Sequence, residues 1–235
     1  AEKLGYDITF INTCFENRKV SYYDHCRYRN FEGVVIVCAN FNDPDVIELM
    51  NSELPVVTID YVHHNCSAIS SNNIQGMEEL VKYIYSQGHR KIAYIHGQEG
   101  STVTRDRLAS FYRTMDELGL HVSDKYVRTA NYLETKGSAE QTGQLLDLPD
   151  PPTCIIYPDD TSLIGGRNVI IERGMKIPQD ISVAGYDGTQ ISQILYPKLT
   201  TIKQNTELIG EEAAIRLVGA IEKPKTTLVE RVVIE

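Results

Sequence analysis

The sequence predicts an α/β fold, and three observations carry that expectation. Short apolar runs of strand length recur, as at Gly33 to Cys38 (GVVIVC), Pro55 to Ile59, Lys91 to His96, Thr153 to Tyr157 and from Ser182. Segments with apolar residues at helical spacing separate them, which gives βαβ units and parallel sheets. Several of the runs are apolar throughout, the pattern of strands buried on both faces. A chain of 235 residues is long enough for one large or two small domains with a real core. Two sheets suit that length better than one.

In chain order, Ala1 to Gly5 reads as the last turn of a helix stopped by glycine. Asp7 to Asn12 reads as a strand, and the polar, tyrosine-rich Asn17 to Arg29 as a helix. Asp43-Pro44 opens a short helix, with Asp as N-cap and Pro in the first turn. The strand at Pro55 to Ile59 ends at Asp60-Tyr61, and a loop runs from Val62 to about Ser67. Ser71 or Asn72 caps the clearest helix, where Ile74, Met77, Leu80, Val81 and Ile84 share a face and Gly88 follows. After the strand at Lys91 to His96 comes a loop, Gly97 to Thr104, and a helix from Arg105 to Leu118 with Leu108, Phe111, Tyr112, Met115 and Leu118 inward. Then follow a strand at Tyr126 to Thr129, a helix at Thr135 to Leu146 and the strand at Thr153 to Tyr157. Asp159-Asp160 leads into a helix that ends before Gly174. The strand from Ser182, a short strand near Thr200, a helix from Glu207 to Ala220 and a strand from Leu228 to Ile234 complete the chain.

The stretch Ser182 to Gly188 (SVAGYDG) is the centre of the functional reading. A short strand ends in glycine, then an aromatic and a carboxylate. Open α/β sheets bind ligands beyond the carboxyl ends of their strands, so Asp187 is a candidate contact; the alternative is that it only caps the next turn. The same rule gathers Asp60 and Tyr61; Thr102, Thr104 and Arg107; Tyr132; and Asp159 with Asp160. Carboxylates and an arginine bind sugar hydroxyls in forked pairs, and aromatic faces pack on sugar C–H surfaces. A purine suits the same set. Each residue also has a structural reading. Arg107 pairs with Asp106 or Glu99, Tyr132 is core, and one of Asp159 and Asp160 caps the helix that follows.

The net charge of −9 argues against nucleic-acid binding by this chain itself, since phosphate contact needs a basic patch. Five widely spaced cysteines without a CxxC read as reduced thiols, which points to the cytoplasm. No apolar run is long enough to span a membrane and no signal-peptide pattern opens the chain. His63-His64 with Cys66 is the one metal-like cluster; adjacent side chains on a strand diverge, so a polar loop is the simpler reading and no metal is expected. Gly165-Gly166 lies within a helix pattern and is no dinucleotide fingerprint, and neither a P-loop nor a GxSxG elbow is present. No cofactor is expected. Asp159 with Asp187 as a glycoside-cleaving acid and base is a third-ranked enzyme reading.

Several segments resemble the ligand-binding core of the lactose/galactose-repressor (LacI/GalR) family of bacterial transcription regulators. They are SQGHRKIAYI from Ser86, TVTRDRLASF from Thr102, and RGMKIPQDISVAGYD from Arg173 continued by LTTIKQ from Leu199. The match covers about residues 53 to 235. The resemblance implies two similar parallel-sheet subdomains joined by three crossovers, near Ser70, Gln204 and Lys223, with a ligand cleft between them. Residues 1–70 with 205–223 would form one subdomain and 71–204 with 224–235 the other. It places effector contacts on Arg107, Asp187 and Asp159, and also on Asp60, Tyr61, Thr102, Thr104 and Tyr132. It implies a non-enzymatic homodimer that binds a small sugar or related metabolite and meets operator DNA through a helix-turn-helix outside this sequence, with no membrane partner. The alternative is a sugar-binding protein of a transporter. Departures from the family pattern are Asn72-Asn73 for Asp-Asn, Asp159 for Asn, and Ser110 for Gly. The sequence opens inside what the family makes its first helix, so it is expected to be part of a longer protein.

Overall fold

The computed structural model describes residues 1–11, 14, 15 and 18–235. In chain order its main elements are α1 (Tyr22–Arg29), β1 (Val34–Ile36), α2 (Pro44–Met50), β2 (Val56–Ile59), β3 (Ser67–Ser71), α3 (Asn73–Ser86), β4 (Ile92–His96) and α4 (Thr102–Glu117). They continue with β5 (Val127–Thr129), α5 (Thr135–Leu146), β6 (Cys154–Ile156), α6 (Asp160–Glu172), β7 (Ser182–Asp187), α7 (Gln190–Ile194), β8 (Thr200–Lys203), α8 (Thr206–Glu222) and β9 (Arg231–Ile234). The chain divides into two compact units, residues 1–72 with 205–235 and residues 73–204.

The first unit holds a four-stranded sheet in the order β9-β3-β2-β1, parallel throughout. Cys26 of α1 and Val46, Leu49 and Met50 of α2 pack with Ile36 and Val56 on one side. Ile209 and Ala213 of α8 pack with Val57, Ile69 and Ile234 on the other. Asp43 caps α2 as expected, its carboxylate accepting from the Asp45 amide with Pro44 in the first turn.

Three expectations for this unit need correction. Residues 7–11 form no strand, and Ile8 and Phe10 are exposed, Phe10 at 93%; Asn12, the end of that expected strand, lies outside the described residues. A strand exists only by pairing, and the sole described partner of β1 is β2. Ser67–Ser71, read as loop and cap, is a central strand between β2 and β9. Finally, residues 224–235 stay in the first unit. Arg231 to Ile234 pair in parallel with Ala68 to Ser71, and the expected crossover near Lys223 is not made.

The second unit holds five parallel strands in the order β8-β7-β6-β4-β5. Alternation along β4 shows how its two cores arise. Ile92 and Tyr94 face Met77, Leu80, Val81 and Ile84 of α3 and Phe111 and Met115 of α4. Ala93 and Ile95 face Leu145 of α5 and Leu163 and Ile170 of α6. Burial of each large side chain here stabilises by about 1.5–3 kcal/mol. The expected inward faces are right except at their margins, where Ile74 and Tyr112 are exposed. Gly88 follows α3 in the left-handed conformation, φ +95°, the usual helix stop. Gly165 lets α6 lie against α5: a Cβ there would collide with the Thr135 carbonyl oxygen.

Candidate functional site

The carboxyl ends of β4, β5, β6 and β7 and the first turns of α4 and α6 carry the candidate residues of the second unit. Arg107 sits one turn into α4 and is only 3% exposed. Its Nε donates to Asn73 Oδ1 (2.8 Å) and its Nη1 to the Pro158 carbonyl (3.0 Å). Its guanidinium lies over the Tyr186 ring, 3.4 Å from the centroid, a favourable cation–π stack. Arg107 pairs with neither Asp106 nor Glu99; Asp106 is taken by Arg105. Among the described residues no hydrogen bond is made by its Nη2.

Asp187 ends β7 with φ +97°, a conformation that disfavours side chains and persists only where the surroundings enforce it. Five hydrogen bonds at and beside it enforce it. Gln204 Nε2 donates to Asp187 Oδ1 (2.5 Å), and the Gln204 amide donates to the Asp187 carbonyl (3.2 Å). The Gly188 amide donates to Thr201 Oγ1 (3.2 Å). Thr189 donates its amide (2.7 Å) and hydroxyl (2.9 Å) to Asp160 Oδ2. Gly188 is required here: its φ is +65° and a Cβ would run into the backbone of Lys203. The Asp187 side chain caps no helix; Thr189 holds the cap position of α7. Burial pushes the Asp187 carboxyl above its ordinary value; Arg107 and the Gln204 hydrogen bond oppose this, while Asp159 and Asp160 reinforce it.

Asp159 is the N-cap of α6 and is 1% exposed. Its Oδ1 accepts from the Ser162 amide (2.8 Å), and its Oδ2 from the Ser162 hydroxyl (2.8 Å) and the Leu133 amide (2.8 Å). The capping alternative therefore describes Asp159, and the third bond adds a clamp on the turn that carries Tyr132. Asp160 is fully buried and its Oδ1 lacks a partner. Tyr132 is half-buried; its hydroxyl meets Thr104 Oγ1 (3.0 Å) and its ring covers Gly97. Burial raises the Tyr132 phenol above its ordinary value, Arg107 and Thr104 pull it down, and Asp159 and Asp187 add to the rise. Tyr132, Arg107, Asp159 and Asp187 thus lie within electrostatic reach of one another. Thr102 opens α4 and is half-buried beside Thr104.

Asp60 and Tyr61 belong to the first unit. Asp60 follows β2 with φ +61°; its amide donates to the Ile69 carbonyl (2.8 Å) and its Oδ1 accepts from the Ser71 amide (3.4 Å). Tyr61 stacks on Phe41, centroids 4.1 Å apart and planes 3° apart. Sequence reasoning did not assign roles to Asn73 and Gln204, which hold the arginine and the carboxylate. Asn72-Asn73 and the run ending at Gln204 were visible as motifs, but their partners lie 34 and 17 residues away. His63 and His64 touch at 4.3 Å, and no group of three metal-ligating side chains occurs among the described residues. No helix is long and apolar enough to cross a membrane among the described residues.

The family model for a periplasmic binding protein-like domain matches residues 81–235. The probable HTH-type transcriptional repressor ExuR of Bacillus subtilis is 28% identical over 207 residues, 87% of this chain and 62% of that protein. The HTH-type transcriptional repressor PurR of Actinobacillus pleuropneumoniae serotype 3 is 29% identical over 226 residues, 94% of this chain and 67% of that protein. The chain thus spans about two thirds of the length of these relatives, 62% of the first and 67% of the second. Among solved structures, a transcriptional regulator LacI from Bacillus cereus subsp. cytotoxis matches with a TM-score of 0.82 at 25% identity, over 91% of this chain and 76% of that one. An uncharacterized protein from Actinobacillus succinogenes matches with a TM-score of 0.82 at 25% identity, over 100% of this chain and 86% of that one.

Proposed function

The chain belongs to the periplasmic binding protein-like domain family, and from that membership we propose that it is the effector-binding domain of a LacI-type transcriptional regulator. A small sugar or related metabolite is the ligand, and the strand-end site of the second unit receives it. One observation carries the reading. Arg107 acts electrostatically on Asp187, yet among the described residues the two form no ion pair and each is held by a neutral side-chain amide instead. A buried guanidinium and a half-buried carboxylate kept apart in this way present a donor and an acceptor to a third party. Tyr132 adds an aromatic face of the kind that packs on a sugar ring, and Thr102 and Thr104 add hydroxyls. Asp159 serves this site through the Leu133 clamp. Asp60 and Tyr61 offer a carboxylate and a ring of the same chemical kind at a strand end of the first unit.

Regulation requires the ligand to bind two states of the protein with different affinity. Operator DNA is contacted by a helix-turn-helix of the kind named in the relatives, and the regulator acts as a homodimer. The test begins with a thermal-shift screen of sugars, nucleosides and their derivatives; a ligand at one hundred times its Kd adds about 2.7 kcal/mol of stability. With the ligand in hand, titration calorimetry of Arg107→Ala and Asp187→Ala shows more than tenfold weaker binding for each. Near-wild-type affinity in both variants removes the site assignment.

A further inference from the structure

Asp159 and Asp160 are neighbours at the start of α6, yet they tie different loops. Asp159 accepts from the Leu133 amide and so holds the turn that carries Tyr132. Asp160 is fully buried and reaches the other way. Its Oδ2 accepts from the amide (2.7 Å) and the hydroxyl (2.9 Å) of Thr189, just past Asp187 and Gly188 in the chain. Its Oδ1 makes no hydrogen bond among the described residues and lies against β7, where a Cβ at Gly185 would be 2.4 Å away. Gly185 is what lets the carboxylate come so near the strand. Burying a carboxylate among neutral partners costs stability, so Asp160 is a poor source of it. What it supplies is a fixed point, since α6 is anchored in the core through Leu163 and Ile170.

Relative strengths show which contact fixes the Asp187 turn. The Gly188 bond to Thr201 and the Gln204 bond to the Asp187 carbonyl join neutral groups and are 3.2 Å long. The Gln204 side chain grips the Asp187 carboxylate and not its backbone. The two Thr189 bonds are shorter and end on a carboxylate, the kind roughly twice as strong as a neutral pair. They hold the backbone just past the residue whose φ of +97° has to be enforced. Without them the turn moves to relieve the strain at Asp187, and its carboxylate moves with it.

We propose that Asp160 is the positioning residue for Asp187: through Thr189 it holds the Asp187–Gly188 turn in the conformation that presents the Asp187 carboxylate to a ligand, and it touches no ligand itself. With Asp159 it makes the first turn of α6 a brace between the Tyr132 and Asp187 loops. This role rests on the reading of the strand end as the effector pocket and adds how that pocket is held in shape.

The experiment uses the whole chain and separates position from charge. Asp160→Ala removes the clamp; Asp160→Asn keeps one oxygen for both Thr189 donors and removes the charge. Two readouts need no ligand: hydrogen exchange at the Thr189 amide, and titration of the Asp187 carboxyl by NMR. Burial raises that carboxyl, Arg107 and Gln204 lower it, and Asp159 and Asp160 add to the rise. In Asp160→Ala the Thr189 amide exchanges about tenfold faster or more, while the amides of β4 keep wild-type protection. In Asp160→Asn the protection stays and the Asp187 titration moves to lower pH, a shift that a merely structural residue would not cause. If the alanine variant does not fold, Thr189→Val, which loses the hydroxyl bond alone, shows the faster exchange in its place. Wild-type exchange in the clamp variant, or an unmoved Asp187 titration in Asp160→Asn, overturns the inference. Calorimetry with a ligand from the thermal-shift screen completes the test: binding weakens about tenfold or more in Asp160→Ala and stays near wild type in Asp160→Asn. Affinity unchanged in both variants overturns the positioning role and leaves the pocket intact. A wild-type chain that binds nothing in the screen removes the effector reading, and exchange and titration still decide on the clamp.

Discussion

Asp159→Asn exchanges one carboxylate oxygen for an NH2 group and tests what this carboxylate does. Both of its oxygens are used: one by the Ser162 amide, the other by the Ser162 hydroxyl and the Leu133 amide, all at 2.8 Å. With 1% exposure, water does not replace a lost acceptor. An asparagine has one carbonyl oxygen. Placed at the cap, it turns its NH2 group toward the Leu133 amide and sets two donors against each other; flipped, it uncaps α6. Leaving one buried backbone N–H unsatisfied costs about 1–3 kcal/mol, and losing the negative charge at a helix N-terminus costs about 0.3–1 kcal/mol more. The expected destabilisation is thus about 2–3 kcal/mol. With a urea m-value of about 2 kcal/mol/M, the midpoint of the second unit's transition falls by about 1 M. Asp159→Ala, which loses all three bonds, falls further, by about 3–5 kcal/mol in all. The assay is urea unfolding followed by circular dichroism. An asparagine variant within about 0.2 M of wild type would refute the clamp and return Asp159 to the role of a freely available ligand contact.

Other substitutions follow the same logic. Gly165→Ala drives a methyl into the Thr135 carbonyl oxygen and separates α5 from α6; a loss of about 3 kcal/mol is expected, at the upper end for overpacking, and a midpoint equal to wild type contradicts the close approach. The Asp187 carboxyl has a folded-state pKa above its ordinary 3.8, so the folded state holds more protons in that window and stability falls as pH rises through it. Asp187→Asn removes this loss: measured without ligand, its melting temperature gains on wild type between pH 4 and pH 7.5, and a pH-independent difference would show that the carboxyl is not perturbed. Burial pushes the thiols of Cys66 and Cys154 up to about 11 and about 12, and raises that of Cys26. A thiolate-selective reagent at pH 8 therefore leaves these three unmodified in the native protein and labels the exposed Cys38; rapid labelling of Cys154 would mean that β6 opens readily.

The sequence read well where a short-range rule governs. Met77, Leu80, Val81 and Ile84 are buried because a 3.6-residue period puts them on one face of α3. Asp43-Pro44 starts α2 because capping and the proline dihedral are local. Ser67–Ser71 was not legible as a strand: three of its five residues are serines, and it is made a strand by β2 on one side and β9 on the other. Residues 7–11 show the converse, an apolar stretch with no described neighbour to complete it.

For the site, the strand-end rule brought Arg107, Asp187, Tyr132 and Thr104 to one region of the second unit from sequence alone, because in a parallel sheet the chain direction fixes where every loop emerges. The choice of candidate groups at this level needed only residue types and their order. Which oxygen of Asp159 is already spent, that Asn73 and Gln204 hold the arginine and the carboxylate, that Arg107 stacks on Tyr186, and that β9 returns to the first sheet were decided by tertiary structure. These are hydrogen bonds, a ring contact and a strand pairing between residues from 17 to 163 positions apart, and no local propensity encodes such partners; they exist once burial removes water as the competing one.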